Sequence, residues 1–176
     1  MKNNKKIITD FGDEWEKFNQ IELDKKELSK IFQDYFFLNP WKKNGSTSSG
    51  IDLGCGTGRW AQFVAPKVKK LTVVDASEKS LLVAKKTLLK NKNVKFKQED
   101  LTNISFKNNS FDFGYSLGVL HHIPEIEKAI FEIYRILKPN SGLLLYLYYS
   151  FENEPLWYRL LWSVSNIFRK LICKLP

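Results

Sequence analysis

Residues 51–58 read Ile-Asp-Leu-Gly-Cys-Gly-Thr-Gly, so an acid, Asp52, sits near the end of a short apolar run and Gly54, Gly56 and Gly58 follow at every second position. Glycine at a strand-to-helix turn permits φ > 0 and carries no Cβ, so a ligand can lie against bare backbone. The next residues, 59–64, read as helical, and a helix start turns its unsatisfied N–H groups and positive dipole end toward the same place. Two more acids close apolar or alternating runs: Asp75 after Leu71-Thr-Val-Val, and Asp100 after Val94-Lys-Phe-Lys-Gln-Glu. Asp75 lies 21 positions beyond Gly54. An acid at about that distance, on the tip of a second strand, can accept both hydroxyls of a ribose. Asp75 could instead cap the following helix, although Ser77 is the better N-cap residue. The two histidines of the chain, His121 and His122, are adjacent and follow the run 110–120. An imidazole there can take a proton from a reacting group or orient it; it can also hydrogen-bond backbone and fix the loop.

The glycine spacing separates two kinds of site. A dinucleotide fold wants Gly-x-Gly-x-x-Gly, with pyrophosphate on the helix N-terminus. The tighter Gly-x-Gly-x-Gly here, with Asp52 inside the strand end, resembles motif I of the class I S-adenosylmethionine-dependent methyltransferases. The segments Leu71 to Ser77, Val94 to Leu101, Ser110 to Pro124 and Tyr134 to Gly142 resemble, in order, that family's later strands, loops and helix end. The resemblance covers roughly residues 48–150 and is close to the common small-molecule, type 11-like form. One departure is Pro139-Asn140-Ser141-Gly142, where the family usually has Pro-Gly-Gly.

The resemblance implies S-adenosyl-L-methionine as cofactor. It assigns Asp52, Gly54, Cys55, Gly56 and Gly58 to the cradle, Asp75 to the ribose, Asp100 to the adenine amino group, Ala76 and Leu101 to cofactor binding beside them, and Ser116 and Leu117, with Tyr115, to the methionine side. His122 is the candidate catalytic residue, and no metal is implied. The implied reaction is methyl transfer to a small-molecule acceptor by in-line displacement. Such chemistry needs alignment and exclusion of water, which in favourable cases supply about 7–11 kcal/mol, and a base only where the acceptor must lose a proton. An alternative is a non-catalytic or partner-dependent cofactor-binding module without a complete substrate pocket. A nicotinamide oxidoreductase is the third reading, and the glycine spacing argues against it.

The chain has 176 residues, 43% hydrophobic and 14% aromatic, enough for a domain with a real core. Two distant cysteines, Cys55 and Cys173, form neither a disulfide framework nor zinc spacing, so a reducing cytoplasm is the expected setting. Cys55 reads as a small space-filler rather than a nucleophile. The net charge is +9, but only four of the 28 basic residues are arginine, against the bidentate pattern of specific nucleic-acid readers. The densest run, Lys79 to Lys97, has seven lysines and no acid; it reads as a solvated face, with attraction of an anionic substrate as the alternative. No apolar run is long enough to span a membrane.

Those residues need an α/β framework to hold them. The spacing predicts an N-terminal helical extension over 1–44, a cofactor-binding domain over 45–150 and an amphipathic helix over 151–176. Helix Asp24 to Leu38 would turn Leu28, Ile31, Phe32, Tyr35 and Phe36 to one side, and Trp15 and Phe18 would cover the cofactor or pack on the sheet flank. Strand one is expected at Ser49 to Leu53, then helices at Thr57 to Ala65 and Glu78 to Lys90, a helix opened by Pro124 at its first position, and strand five at Leu143 to Tyr149. Alternating strands and helices imply a doubly wound, Rossmann-like, mostly parallel sheet of order 3-2-1-4-5, with the ligand where the order reverses. A complete domain of this kind has two further strands, so the chain is either a piece of a longer protein or a shortened form. In the shortened form strand five would be an exposed apolar edge, through which the chain could form an oligomer; the last helix would cover that edge, dock a partner or lie on an anionic membrane surface.

Overall fold

The computed structural model describes residues 24–41, 45–148 and 154–172. Trp15, Phe18, Asn153, Cys173 and Lys174 lie outside the described residues. Helix α1 spans Lys25–Tyr35, with the Asp24 side chain accepting the Lys26 N–H as its cap. Five strands follow: β1 (Ser49–Leu53), β2 (Lys70–Asp75), β3 (Val94–Gln98), β4 (Phe111–Leu117) and β5 (Leu137–Tyr146). Between them stand α2 (Ala61–Val64), α3 (Glu78–Thr87) and α4 (Ile126–Ile136), and α5 (Leu156–Ile172) comes last. The sheet has the order β3-β2-β1-β4-β5, and every neighbouring pair is parallel. Fold class and strand order agree with the sequence reading.

Period-two alternation divides the core between the two faces. Leu71 and Val73 of β2 and Phe113 and Tyr115 of β4 pack with Phe32 and Phe36 at α1, Val64 and Leu81. Ile51 and Leu53 of β1 and Val74 of β2 point the other way, onto Leu120, Ala129, Ile133 and Ile136 around α4. Central strands buried on both faces demand such continuous apolar runs. Helix α1 is therefore anchored to the same core as α2 and α3, through stacked Phe32 and Phe63 at 5.0 Å.

Several boundaries differ from expectation, each for a local reason. Helix α2 has only four residues, because the glycine turn continues through Arg59 and Trp60, and Pro66 falls in a short 3-10 turn, Ala65–Lys67. Pro124 does not open α4 as its first residue; Glu125 is the N-cap, and the helix starts at Ile126. Strand β5 begins at Leu137 rather than Leu143, directly after α4. Leu137 pairs with Phe111, the register then shifts, and pairing resumes at Gly142 with Phe113. The residues between bulge out, with Asn140 at φ 61. Asparagine tolerates the left-handed region better than most residues, so the departure from Pro-Gly-Gly is absorbed by this bulge. Helix α5 forms within the expected amphipathic segment, with Leu156, Leu160, Ile167 and Phe168 spaced as an apolar stripe, but Leu160 is 70% exposed and the other three are exposed too. The stripe is thus not buried against β5. No helix among the described residues is long and apolar enough to cross a membrane.

Candidate active site at the strand tips

Parallel strands of a doubly wound sheet end together, and the loops after β1, β2, β3 and β4 surround one cleft. The space between them is about 1010 Å³, open solvent at the mouth included. The glycine loop forms its floor. Gly54, Gly56 and Gly58 have φ of 83°, 52° and 76°, conformations that side chains resist. A Cβ on Gly54 would also meet the Val119 methyls at 2.6 Å.

The backbone donors of this loop are mostly committed. Gly54 and Cys55 N–H both donate to the Val74 carbonyl at 2.9 Å, and Gly58 N–H donates to the Cys55 carbonyl at 2.9 Å. Gly56 N–H donates to Asp75 Oδ2 at 2.9 Å. Ser77 N–H donates to Asp75 Oδ1 at 2.9 Å, so one carboxylate ties the first loop to the second. Ser77, not Asp75, caps α3, its hydroxyl accepting the Ser80 N–H at 3.3 Å. Each Asp75 oxygen keeps lone-pair capacity after accepting one bond. A loop whose N–H groups are so engaged, followed by a four-residue helix, is a poor nest for pyrophosphate. Its neighbouring carboxylates instead suit a ligand that brings hydroxyls and positive charge.

Nine of the twelve residues singled out in the sequence line the cleft: Gly54, Cys55 and Gly56 from the first loop, Asp75 and Ala76, Asp100 and Leu101, then Leu117 and His122. Asp100 is exposed and accepts the Thr102 N–H and hydroxyl on Oδ1, both at 2.8 Å. Asp52, Gly58 and Ser116 are not on the wall. Ser116 is fully buried and donates to the Leu53 carbonyl at 2.8 Å, joining β4 to β1. A Cβ on Gly58 would face Leu88 at 3.1 Å and Ala84 at 3.3 Å, so this position serves the approach of α3. The sequence pattern marked all three because supports of a loop share its spacing. Arg59, Trp60, Thr57, Gly118 and Ile123 also line the cleft and were not singled out. Gly118 carried a signal: a glycine just past β4, at φ 74°.

Burial sets the charge states beneath the floor. Asp52 is 3% exposed, and its Oδ2 has no hydrogen-bond partner among the described residues. Its carboxyl is pushed up to about 8, first by burial and then by the Asp75 charge, with the Tyr115 hydroxyl acting in the opposite sense. Tyr115 is itself pushed up, by burial and then by Asp52, and its hydroxyl meets neither Asp52 nor another group in full hydrogen-bond geometry. Burial, with Asp52 and Asp75 nearby, raises the Cys55 thiol as well, which keeps it protonated and fits a space-filling role. Burial also raises Asp75, against the pull of the Ser77, Gly56 and Ala76 N–H groups. The two histidines lie in or beside the 3-10 turn Leu120–His122. His122 is exposed at the cleft; His121 stacks behind it at 4.0 Å, and burial, then His122, lowers its imidazole. Among the described residues, no cluster of three or more His, Cys, Asp or Glu could hold a metal ion.

The chain matches known proteins over this same region. Residues 51–145 fit the family model described as a methyltransferase domain. The uncharacterized methyltransferase YcgJ of Bacillus subtilis is 31% identical over 108 residues, 60% of this chain and 43% of its own length. Demethylmenaquinone methyltransferase of Staphylococcus aureus is 32% identical over 178 aligned positions, covering 85% of this chain and 73% of that enzyme. The crystal structure of YcgJ superposes with a TM-score of 0.58 at 25% identity, over 69% of this chain and 50% of that one. The chain thus spans less than half of the YcgJ sequence. With its 3-2-1-4-5 parallel sheet and acid-bearing strand tips, the chain belongs to the methyltransferase family and has the class I, S-adenosylmethionine-dependent fold.

Proposed function

We propose that this chain binds S-adenosyl-L-methionine in the cleft and passes its methyl group to a small-molecule acceptor. The observation that carries the reading is the cleft wall itself: a glycine floor whose Gly54, Cys55, Gly56 and Gly58 N–H groups are committed within the protein, with one carboxylate from the β2 tip and one from beyond β3. Asp75 would accept the ribose hydroxyls on its remaining lone pairs, with Ala76 beside it. Asp100 and Leu101 would receive the adenine. Leu117, Gly118 and the Gly54 to Gly56 backbone would flank the methionine part. Asp52, Gly58 and Ser116 would act from beneath, by holding the loop rather than touching the ligand. When bound, the cofactor supplies an activated methyl group on a sulfonium leaving group. His122 would orient the acceptor or take its proton.

Relatives with named substrates act on small molecules: the S. aureus enzyme on demethylmenaquinone, a Caenorhabditis elegans relative on phosphoethanolamine. Calorimetric titration with S-adenosylmethionine and S-adenosylhomocysteine tests the reading. We expect saturable binding of both, and no response to NAD; absence of heat with well-folded protein would overturn it. A second reading is a partner-dependent binding module, favoured by the exposed stripe of α5. Tight cofactor binding with no methyl transfer to any acceptor, also from a longer form of the chain, would select it.

A further inference from the structure

Trp60 and His122 both line the cleft, and outside it a run of aromatic rings joins one to the other. Trp60 packs on Tyr35 at 5.3 Å between ring centres, and Tyr35 on Tyr146 at 4.9 Å. Tyr146 meets Tyr148 at 5.9 Å, Tyr148 meets His121 at 4.3 Å, and His121 meets His122 at 4.0 Å. These rings come from α1, the exit of the glycine loop, the turn after β4 and the end of β5. Trp60 and Tyr35 tie one end of the arc to the core, whereas the other end is open: Tyr148 is 65% exposed and Tyr146 39%. Gly118 lines the cleft with no side chain, and a Cβ there would meet nothing within 4 Å, so that part of the wall is open.

Charge decides which ligand suits such an arc. Aromatic faces attract cations, but the Arg59 guanidinium already lies over Trp60, 4.4 Å from the ring centre. Arg59 lines the cleft, and its charge draws the Tyr35 phenol down against the upward push of burial. A protonated amine would meet like charge there. A flat ring would stack on the tyrosines, and an oxygen gaining negative charge would be drawn to the guanidinium.

We propose that this arc is the acceptor subsite and that it takes a planar aromatic hydroxyl compound, a phenol or hydroquinone, with its hydroxyl turned toward Arg59 and His122. The proposal rests on the methyl-transfer reading above. In the step it implies, a phenolic oxygen lone pair forms the new O–C bond to the methyl carbon. The C–S bond breaks and its electron pair stays on sulfur. The phenolic proton passes to His122 and then to water, leaving an aryl methyl ether.

The test uses the full chain saturated with S-adenosylhomocysteine, titrated by calorimetry with 2-naphthol and, separately, with the cationic amine benzylamine. We expect 2-naphthol to bind and benzylamine not to. Tyr148→Leu should weaken 2-naphthol about 3- to 10-fold, the loss of one aromatic contact, while leaving S-adenosylhomocysteine affinity within about twofold because Tyr148 does not line the cleft. Tyr148→Phe should restore 2-naphthol binding. Binding of S-adenosylhomocysteine without 2-naphthol, tighter binding of benzylamine, or equal 2-naphthol affinity in Tyr148→Leu would each overturn the subsite and leave the cofactor reading standing. Failure of S-adenosylhomocysteine itself to bind would overturn both.

Discussion

Replacing Asp52 by asparagine should make the ligand-free protein more stable at neutral pH, not less. Asp52 is 3% exposed beneath the glycine loop, and its carboxyl is raised from 3.8 to about 8, chiefly by burial. Between those values the folded chain holds a proton that the unfolded chain has released. Stability is therefore fully kept below the unfolded value and falls as pH rises toward 8. Each pH unit inside the window is worth about 1.36 kcal/mol, so the step from pH 5 to pH 7 costs roughly 2–3 kcal/mol. Asparagine has the same shape and cannot ionise, and its amide can donate to the nearby Tyr115 hydroxyl. Urea unfolding of the wild type and Asp52→Asn at pH 5, 6 and 7 measures the difference in slope. Asp75, also raised, and His121, lowered, are present in both proteins, so the comparison largely cancels their own pH terms. We expect the variant to gain about 2 kcal/mol on the wild type across that interval. Parallel pH profiles would refute the claim that a buried carboxyl with an unpartnered Oδ2 lies under the loop.

Three further outcomes follow from the same geometry. Asp75→Ala removes the acceptor of the Gly56 and Ser77 N–H groups as well as the proposed ribose contact; calorimetry should show S-adenosylmethionine affinity lower by at least about tenfold, from the loss of about 1.5–3 kcal/mol per charged hydrogen bond, in a chain that still folds by circular dichroism. Unchanged affinity would remove Asp75 from the ribose site. Gly54→Ala places a Cβ 2.6 Å from the Val119 methyls at φ 83°, so thermal melting should register a loss of about 1–3 kcal/mol; an unaltered melting point would contradict the tight turn. For an acceptor that must lose a proton, His122→Ala should lower kcat about 10²- to 10⁴-fold with cofactor affinity kept, and an unaffected kcat would leave His122 as a loop-fixing residue.

How much of this was legible beforehand depends on the range of the interaction. The limits of β1 and the Ser77 cap rest on local pattern, and the sheet order follows from the alternation of strands and helices along the chain; the structure shows all three as read. The start of β5 depends on a register shift against β4, and no single-strand periodicity reveals where a bulge opens. Helix α2 shrank because Arg59 and Trp60, helical by propensity, were taken up by the turn and its wall. Asp52 and Ser116 carried the right spacing for the site, but spacing cannot tell a residue that faces a ligand from one that braces the loop behind it. The aromatic arc was invisible for another reason. Its members are separated by up to 113 positions, from Tyr35 to Tyr148, and only the packing of α1 against the glycine-loop exit and the β5 end brings them together.

The glycine loop also explains why spacing alone separates two cofactor chemistries. A loop that binds pyrophosphate must keep its N–H groups for the ligand. Here the tight alternation brings Gly56 N–H onto the Asp75 carboxylate and Gly54 and Cys55 N–H onto the β2 carbonyl of Val74. These donors fix the floor, and the β2 and β3 ends beside it offer acceptor capacity on Asp75 and Asp100. An anion offered to that end of the cleft, away from Arg59, would meet carboxylates, whereas a ligand with hydroxyls and a positive centre would meet partners. Restoring a free donor should therefore not create a phosphate site: Asp75→Asn, which keeps the size and removes the charge, should lower affinity for S-adenosylmethionine without conferring any for NAD. Calorimetric titration of that variant with both compounds checks it, and a gain of NAD binding would show that charge, rather than the committed backbone, excluded the dinucleotide.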